Sequence, residues 1–128
     1  MADIVLDASA ILTFLQGEKG ADVVEDLLPK AAVSANNLAE VVAKLVDRAV
    51  PTDHIDQIIA AFDFSVIEVG KDDAIANGLL RSATREVGLS LGDRSCLALA
   101  QRLALPVLTT DRAWARLQGL TVEVRLLR

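Results

Sequence analysis

Apolar residues in this chain come in two patterns: short unbroken runs, and stripes spaced three or four residues apart. Strand-like and helix-like segments therefore follow one another. Ile4-Val5-Leu6 is a run with two β-branched members, and it reads as a short buried strand. Asp7 stands where that run stops, and small residues lead into a helical pattern over Ala8–Leu15. Residues 16–20 read as a loop, Ala21–Leu28 as a helix stopped by Pro29, and Ala31–Ser34 as a second strand. Asn36 or Asn37 is placed to cap a long helix reaching about Ala49. Its stripe is Leu38, Val41, Val42, Leu45, Val46 and Ala49. Pro51-Thr52 breaks it, and a further helix over about Asp53–Phe62 carries Ile55, Ile58, Ile59 and Phe62 on one face.

The second half repeats the alternation. Phe64–Val69 reads as a strand, about Asp73–Val87 as a helix ended by Gly88, and Ser90 opens a helix reaching about Leu103. Pro106–Thr109 is a strand, Asp111–Leu117 a short helix and Thr121–Val124 a last strand. Strands alternating with helices predict an α/β fold, with a mostly parallel sheet of four to five short strands covered on both faces. The helix-rich stretch 36–62 is long for a simple crossover and is expected as a helical pair beside the sheet. With 128 residues and no repeat or linker, a single domain over 1–128 is expected, burying roughly two-thirds of its unfolded surface.

Composition narrows the function classes. Thirteen basic against eighteen acidic residues give a net charge of −5, which argues against holding nucleic acid on a broad basic surface. A nuclease whose positive charge is a bound metal ion remains open. Only four aromatics, Phe14, Phe62, Phe64 and Trp114, make a base-stacking platform a poor expectation. Cys96 is the sole cysteine, which suits a reducing, cytoplasmic setting. No signal-peptide pattern opens the chain, and no apolar run approaches the ~18–20 residues of a membrane span. A 52% hydrophobic content hints at an apolar interface with a partner or a second copy.

Candidate chemistry lies in four acids. Asp7 ends a buried strand, at the sheet rim where open α/β folds place ligands, and Ser9 adds a hydroxyl nearby. A lone Asp at such a junction is as readily a helix cap. Asp93 completes a capping box with Ser90, yet it also points along the Cys96, Leu97, Ala100, Leu103 and Ala104 stripe. An inward carboxylate needs a partner, and a metal ion is the natural one where no lysine or histidine is near. Asp111 follows Val107–Thr110 and repeats the arrangement of acid and hydroxyl at a strand end. By spacing alone Glu40 falls opposite its helix's stripe, where an exposed pair with Lys44 would suffice. The remaining acids read as solvated charges and His54 as surface. With one histidine and one cysteine, neither a Ser-His-Asp site nor a Cys/His zinc site can be built. No nucleotide-binding glycine loop is present.

Val5–Ala10, Asn37–Val41, Leu89–Ala100 and Leu108–Trp114 together resemble, in order and spacing, the motifs of PIN-domain proteins, above all the VapC-type toxins of bacterial toxin–antitoxin pairs. Gly92-Asp93-Arg94 with its small, apolar helix is the most specific part, and Ala8 departs from the Thr or Ser of many members. The resemblance implies a three-layer PIN-like fold and a metal-dependent endoribonuclease. Its acidic quartet maps onto Asp7, Glu40, Asp93 and Asp111, and its accompanying hydroxyls onto Ser9 and Thr109. Mg²⁺ or Mn²⁺ suits such hard oxygen ligands, with Asp7 and Asp93 as the expected direct ligands. Glu40 and Asp111 would complete the site through water or a second ion. Arg94 and Arg112, each following a site acid, are candidates for RNA or antitoxin contact, or plain surface residues. A cognate antitoxin and a homodimer are the implied partners, besides RNA. The competing readings are a non-catalytic module on the same fold and a phosphoryl-transfer or phospho-acceptor domain. Ser9 stands where a phosphatase of that kind wants a second Asp, and no lysine follows Lys71.

Overall fold

A computed structural model describes all residues, Met1–Arg128. Five short strands, β1 (Ile4–Leu6), β2 (Ala31–Ser34), β3 (Ser65–Ile67), β4 (Val107–Thr109) and β5 (Val124–Leu126), form one sheet in the order β3-β2-β1-β4-β5. Every pairing is parallel, as the alternating pattern required. The helices are α1 (Ala8–Leu15), α2 (Ala21–Leu27), α3 (Ala35–Asp47), α4 (Thr52–Ala60), α5 (Lys71–Leu79), α6 (Arg81–Thr84) and α7 (Leu91–Leu103), with 3-10 turns at Leu28–Lys30 and Arg112–Arg116.

The central strands are buried on both faces and divide the core in two. Ile4, Leu6, Ala31, Val33 and Leu108 join the first cluster, to which α1 to α4 contribute Ile11, Val24, Val41 and Ile55. Val5, Ala32 and Val107 face the other way, into a cluster with Cys96, Leu97 and Ala100 of α7 and with Trp114. The three layers follow from the period-two alternation of strand side chains. The topology reverses between β1 and β4, because the chain builds outward from β1 first on one side and then on the other.

Several sequence boundaries shift. Ser34, not Asn36 or Asn37, caps α3, its hydroxyl accepting the Asn36 N–H at 3.3 Å. The buried line of α3 is Asn37, Val41 and Leu45, while Val46 lies 58% exposed. The expected helix over 73–87 is two pieces: Leu80, at ψ −12°, flattens the turn, and Thr84 donates to the Leu80 carbonyl at 2.8 Å. Helix α7 is buried on nearly every side from Ser95 to Ala100, so its stripe is wider than spacing suggested; Ala104 is an exposed left-handed cap at φ 54°. The segment expected as a 3.6-period helix after Asp111 is a 3-10 turn. The last strand begins three residues later than expected, Val124, Arg125 and Leu126 pairing with Val107, Leu108 and Thr109. No helix is long and apolar enough to cross a membrane.

Candidate active site

The carboxyl ends of β1 and β4 meet at the switch point, and Asp7 stands there. It is 5% exposed and makes no side-chain cap to α1, so the capping reading does not hold for it. Ser9 Oγ donates to Asp7 Oδ2 at 2.7 Å and Thr109 Oγ1 donates to the same oxygen at 2.9 Å. The two hydroxyl oxygens lie 3.3 Å apart, and the Thr110 N–H donates to Ser9 Oγ at 3.0 Å. No protein donor reaches Oδ1. Burial pushes the Asp7 carboxyl up to about 6, against the lowering effect of the two hydroxyls and with smaller raising effects from Asp93 and Glu40.

Glu40 reaches the site from α3. Asn37, fully buried one turn earlier, donates from one amide nitrogen to Glu40 Oε1 at 2.8 Å and to the Gly92 carbonyl at 3.0 Å. Partial burial raises the Glu40 carboxyl, the Asn37 amide opposes that, and the Asp93 charge adds to it. Gly92 is what lets the carboxylate come this close: a Cβ there would stand 2.2 Å from Oε1 and 2.6 Å from Cδ. Gly92→Ala is therefore expected to swing the Glu40 carboxylate off α7. Because the clashing group is a flexible side-chain end and Ala suits a helix better than Gly by about 1 kcal/mol, stability should hardly fall. A crystal structure of the variant showing Glu40 in place would contradict this.

Asp93 sits in the first turn of α7, partly buried. The capping box forms: Ser90 N–H donates to Asp93 Oδ2 at 3.0 Å and Asp93 N–H to Ser90 Oγ at 3.1 Å. That leaves Oδ1 without a protein donor. The Cys96 thiol is wholly buried one turn on. It is pushed up by burial first and then by the charges of Asp7, Asp93 and Glu40. Asp111 is exposed at the rim. Its Oδ1 accepts the Ala113 N–H at 2.9 Å, and its own N–H donates to Thr109 Oγ1 at 3.1 Å. Ser9 and Thr109 thus hold Asp7, the charges of Asp93 and Glu40 act on it, and Asp111, tied to Thr109 by its own N–H, caps the next turn.

Arg94 turns away from this group. Its Nε donates to Asn77 Oδ1 at 3.0 Å and its Nη1 to the Leu89 carbonyl at 3.3 Å, which makes it a brace of the α5–α7 junction; Arg112 is exposed. Asn77 also donates to the Leu91 carbonyl at 3.0 Å, and Asn36 and Asn77 both donate to Ser95 Oγ. These amides clamp the first turn of α7 and so hold Asp93 in register with Glu40. Spacing read Asn37 only as a cap. Its place four residues before Val41, on the buried line of α3, was the available signal.

No group of three or more His, Cys, Asp and Glu side chains stands ready-made around a metal position. The donor chemistry nevertheless fits a hard divalent cation: the charges of Asp93 and Glu40 act on Asp7, this most buried carboxylate has a free oxygen, and no ion pair of the protein neutralises any of the three.

The PIN domain family model matches residues 4–120. The chain is 32% identical over 115 residues to Ribonuclease VapC42 of Mycobacterium tuberculosis, covering 82% of this chain and 88% of that one. Among solved structures, it is 29% identical to VapBC-5, a member of the VapBC family of toxin–antitoxin systems from Mycobacterium tuberculosis, with a TM-score of 0.62 over 100% of this chain and 99% of that one. DNA-bound VapBC from Salmonella typhimurium shares the fold at 18% identity, with a TM-score of 0.78 over the full length of both chains.

Proposed function

We propose, from the premise that the chain belongs to the PIN-domain family, that it is a divalent-metal-dependent endoribonuclease and the toxin of a type II toxin–antitoxin pair. The observation that carries this reading is the buried Asp7 carboxylate at the switch point, which no cation of the protein neutralises and on which the charges of Asp93 and Glu40 act. Asp7 Oδ1 and Asp93 Oδ1, which accept no protein hydrogen bond, would hold Mg²⁺ or Mn²⁺, with Glu40 and Asp111 completing the shell through water or a second ion. When bound, the cation makes a water more acidic and neutralises charge on a phosphodiester. Ser9 and Thr109 fix the rotamer of Asp7 by gripping Oδ2, so the opposite oxygen faces the opening. The Glu40 carboxylate, held by Asn37 and raised in proton affinity, is suited to accept the proton of the attacking water.

An antitoxin has a seat as well. Phe14, Leu15, Leu28, Ile58, Ala61 and Phe62 line an apolar groove of about 240 Å³ between α1 and α4, of a kind that takes the apolar face of a partner helix. A second copy has a separate candidate face in Ile75, Leu79 and Leu91, which are 51%, 76% and 63% exposed. The decisive experiment incubates the purified protein with total cellular RNA and Mg²⁺ or Mn²⁺, with and without chelator. Cleavage should require the ion and fall roughly a hundred-fold or more in Asp93→Asn, the scale of losing one electrostatic element of an active site. Equal cleavage in chelator, or by Asp93→Asn, would overturn the proposal.

A further inference from the structure

The basic residues are segregated along the chain. Residues 81–128 hold eight arginines against four acids, whereas residues 1–80 hold five basic residues against fourteen acids. In the second half, Arg102 is paired with Asp73, Arg125 with Glu123 and Arg128 with Glu18, and Arg94 is occupied by Asn77 and the Leu89 carbonyl. Four arginines are left exposed without an acidic partner: Arg81, Arg85, Arg112 and Arg116.

Those four lie on two segments that meet. Arg81 and Arg85 belong to α6 and the turn after it, which leads through Leu89 into the first turn of α7, where Asp93 stands. Arg112 and Arg116 belong to the 3-10 turn that leaves β4 past Thr109 and Asp111. Trp114 of that turn packs in one cluster with Leu80, Val87 and Leu89 of the other, and Arg85 and Arg116 line the same open cleft of about 440 Å³ with Ser82, Glu86 and Gln118. The net charge of the whole chain hides this local excess of arginine on the segments that lead into Asp93 and away from Asp111.

We propose that this arginine-lined cleft is a phosphate track that grips single-stranded RNA next to the cutting site; the inference rests on the ribonuclease reading above. Arginine forks match phosphate oxygens in pairs of hydrogen bonds. The only aromatic in this half, Trp114, is 1% exposed, so bases cannot stack on the track. The grip is therefore on the backbone and independent of sequence, and it compensates the repulsion that the acids exert on an approaching polyanion.

The test measures binding of a short labelled single-stranded RNA to the intact protein in chelator, by fluorescence anisotropy across a salt series. Arg85→Gln/Arg116→Gln is compared with the parent and with Arg102→Gln/Arg125→Gln, in which the arginines removed are already paired. Losing two phosphate contacts should weaken binding roughly twenty-fold at about 0.1 M salt and flatten the salt slope by about 1.4. The control variant should bind as the parent does, and matching thermal melts should show all three folded. Equal binding by the track variant and the parent, an equal loss in the control, or no RNA binding by the parent would overturn the track. A parent that cleaves RNA with Mg²⁺ while the track variant binds unchanged refutes the track alone; a parent that cleaves no RNA refutes the ribonuclease reading.

Discussion

Asp7→Asn is expected to make the metal-free protein more stable while cutting RNA cleavage roughly a hundred-fold or more, on the scale of losing one preorganised electrostatic group. The stability gain follows from the buried carboxyl. Its folded value of about 6 lies above its ordinary 3.8, so the folded state binds a proton more tightly than the unfolded chain does. Stability then falls as pH rises from about 4 to about 6, and the loss is complete above that window. Tighter proton binding across that window corresponds to about 3 kcal/mol. Asparagine carries no charge to bury, and with its Oδ1 in the place of Asp7 Oδ2 it can still accept from both hydroxyls. Urea unfolding in chelator at pH 4 and pH 7 gives the readout: the parent should lose about 3 kcal/mol relative to the variant between the two values. Adding Mg²⁺ at a hundred times its dissociation constant should then return about 2.7 kcal/mol to the parent and much less to the variant. A variant no more stable than the parent at pH 7 would mean that Asp7 is not a buried, uncompensated charge.

That cost also explains how much of the site was legible beforehand. Asp7 could be read because the run Ile4–Leu6 ends abruptly, and a strand buried on both faces puts its next residue at a sheet rim. Helix α7 could be read because Ser90 and Asp93 make a two-sided capping signal that is wholly local. Glu40 could not be read from periodicity. The buried line of α3 runs through a polar residue, Asn37, whose amide nitrogen donates to Glu40 and Gly92, and one of those belongs to a helix far along the chain. The contact of Arg94 is non-local in the same way: its place after Asp93 offered it for RNA, the antitoxin or plain surface, and Asn77, from α5, holds its Nε. The family resemblance supplied the quartet that spacing left open. The edge strands were the least legible. In β5 only three residues pair, one face is open to solvent, and the apolar residues Val122, Val124, Leu126 and Leu127 permit more than one register.

Trp114→Ala is expected to cost about 3–5 kcal/mol, the range for emptying a buried aromatic site, out of about 5–15 kcal/mol for a whole domain. Trp114 is the largest side chain of its core cluster, 1% exposed, and it pins the Arg112–Arg116 turn against Leu80, Leu89 and Leu97. Its indole N–H reaches no acceptor in the protein. Leaving such a donor buried costs about 1–3 kcal/mol, so Trp114→Phe, which removes the donor and keeps most of the ring, should lose far less than alanine. Urea midpoints of the three proteins would measure both steps. Phenylalanine as damaging as alanine would show that the indole N–H is satisfied after all. The site should feel the difference too. The turn that Trp114 anchors carries Asp111, Arg112 and Arg116, so a loosened turn moves one acid and half of the arginine track together. Under conditions where Trp114→Ala is still folded, its RNA affinity in chelator should drop toward that of Arg85→Gln/Arg116→Gln, whereas Trp114→Phe should retain the parent's.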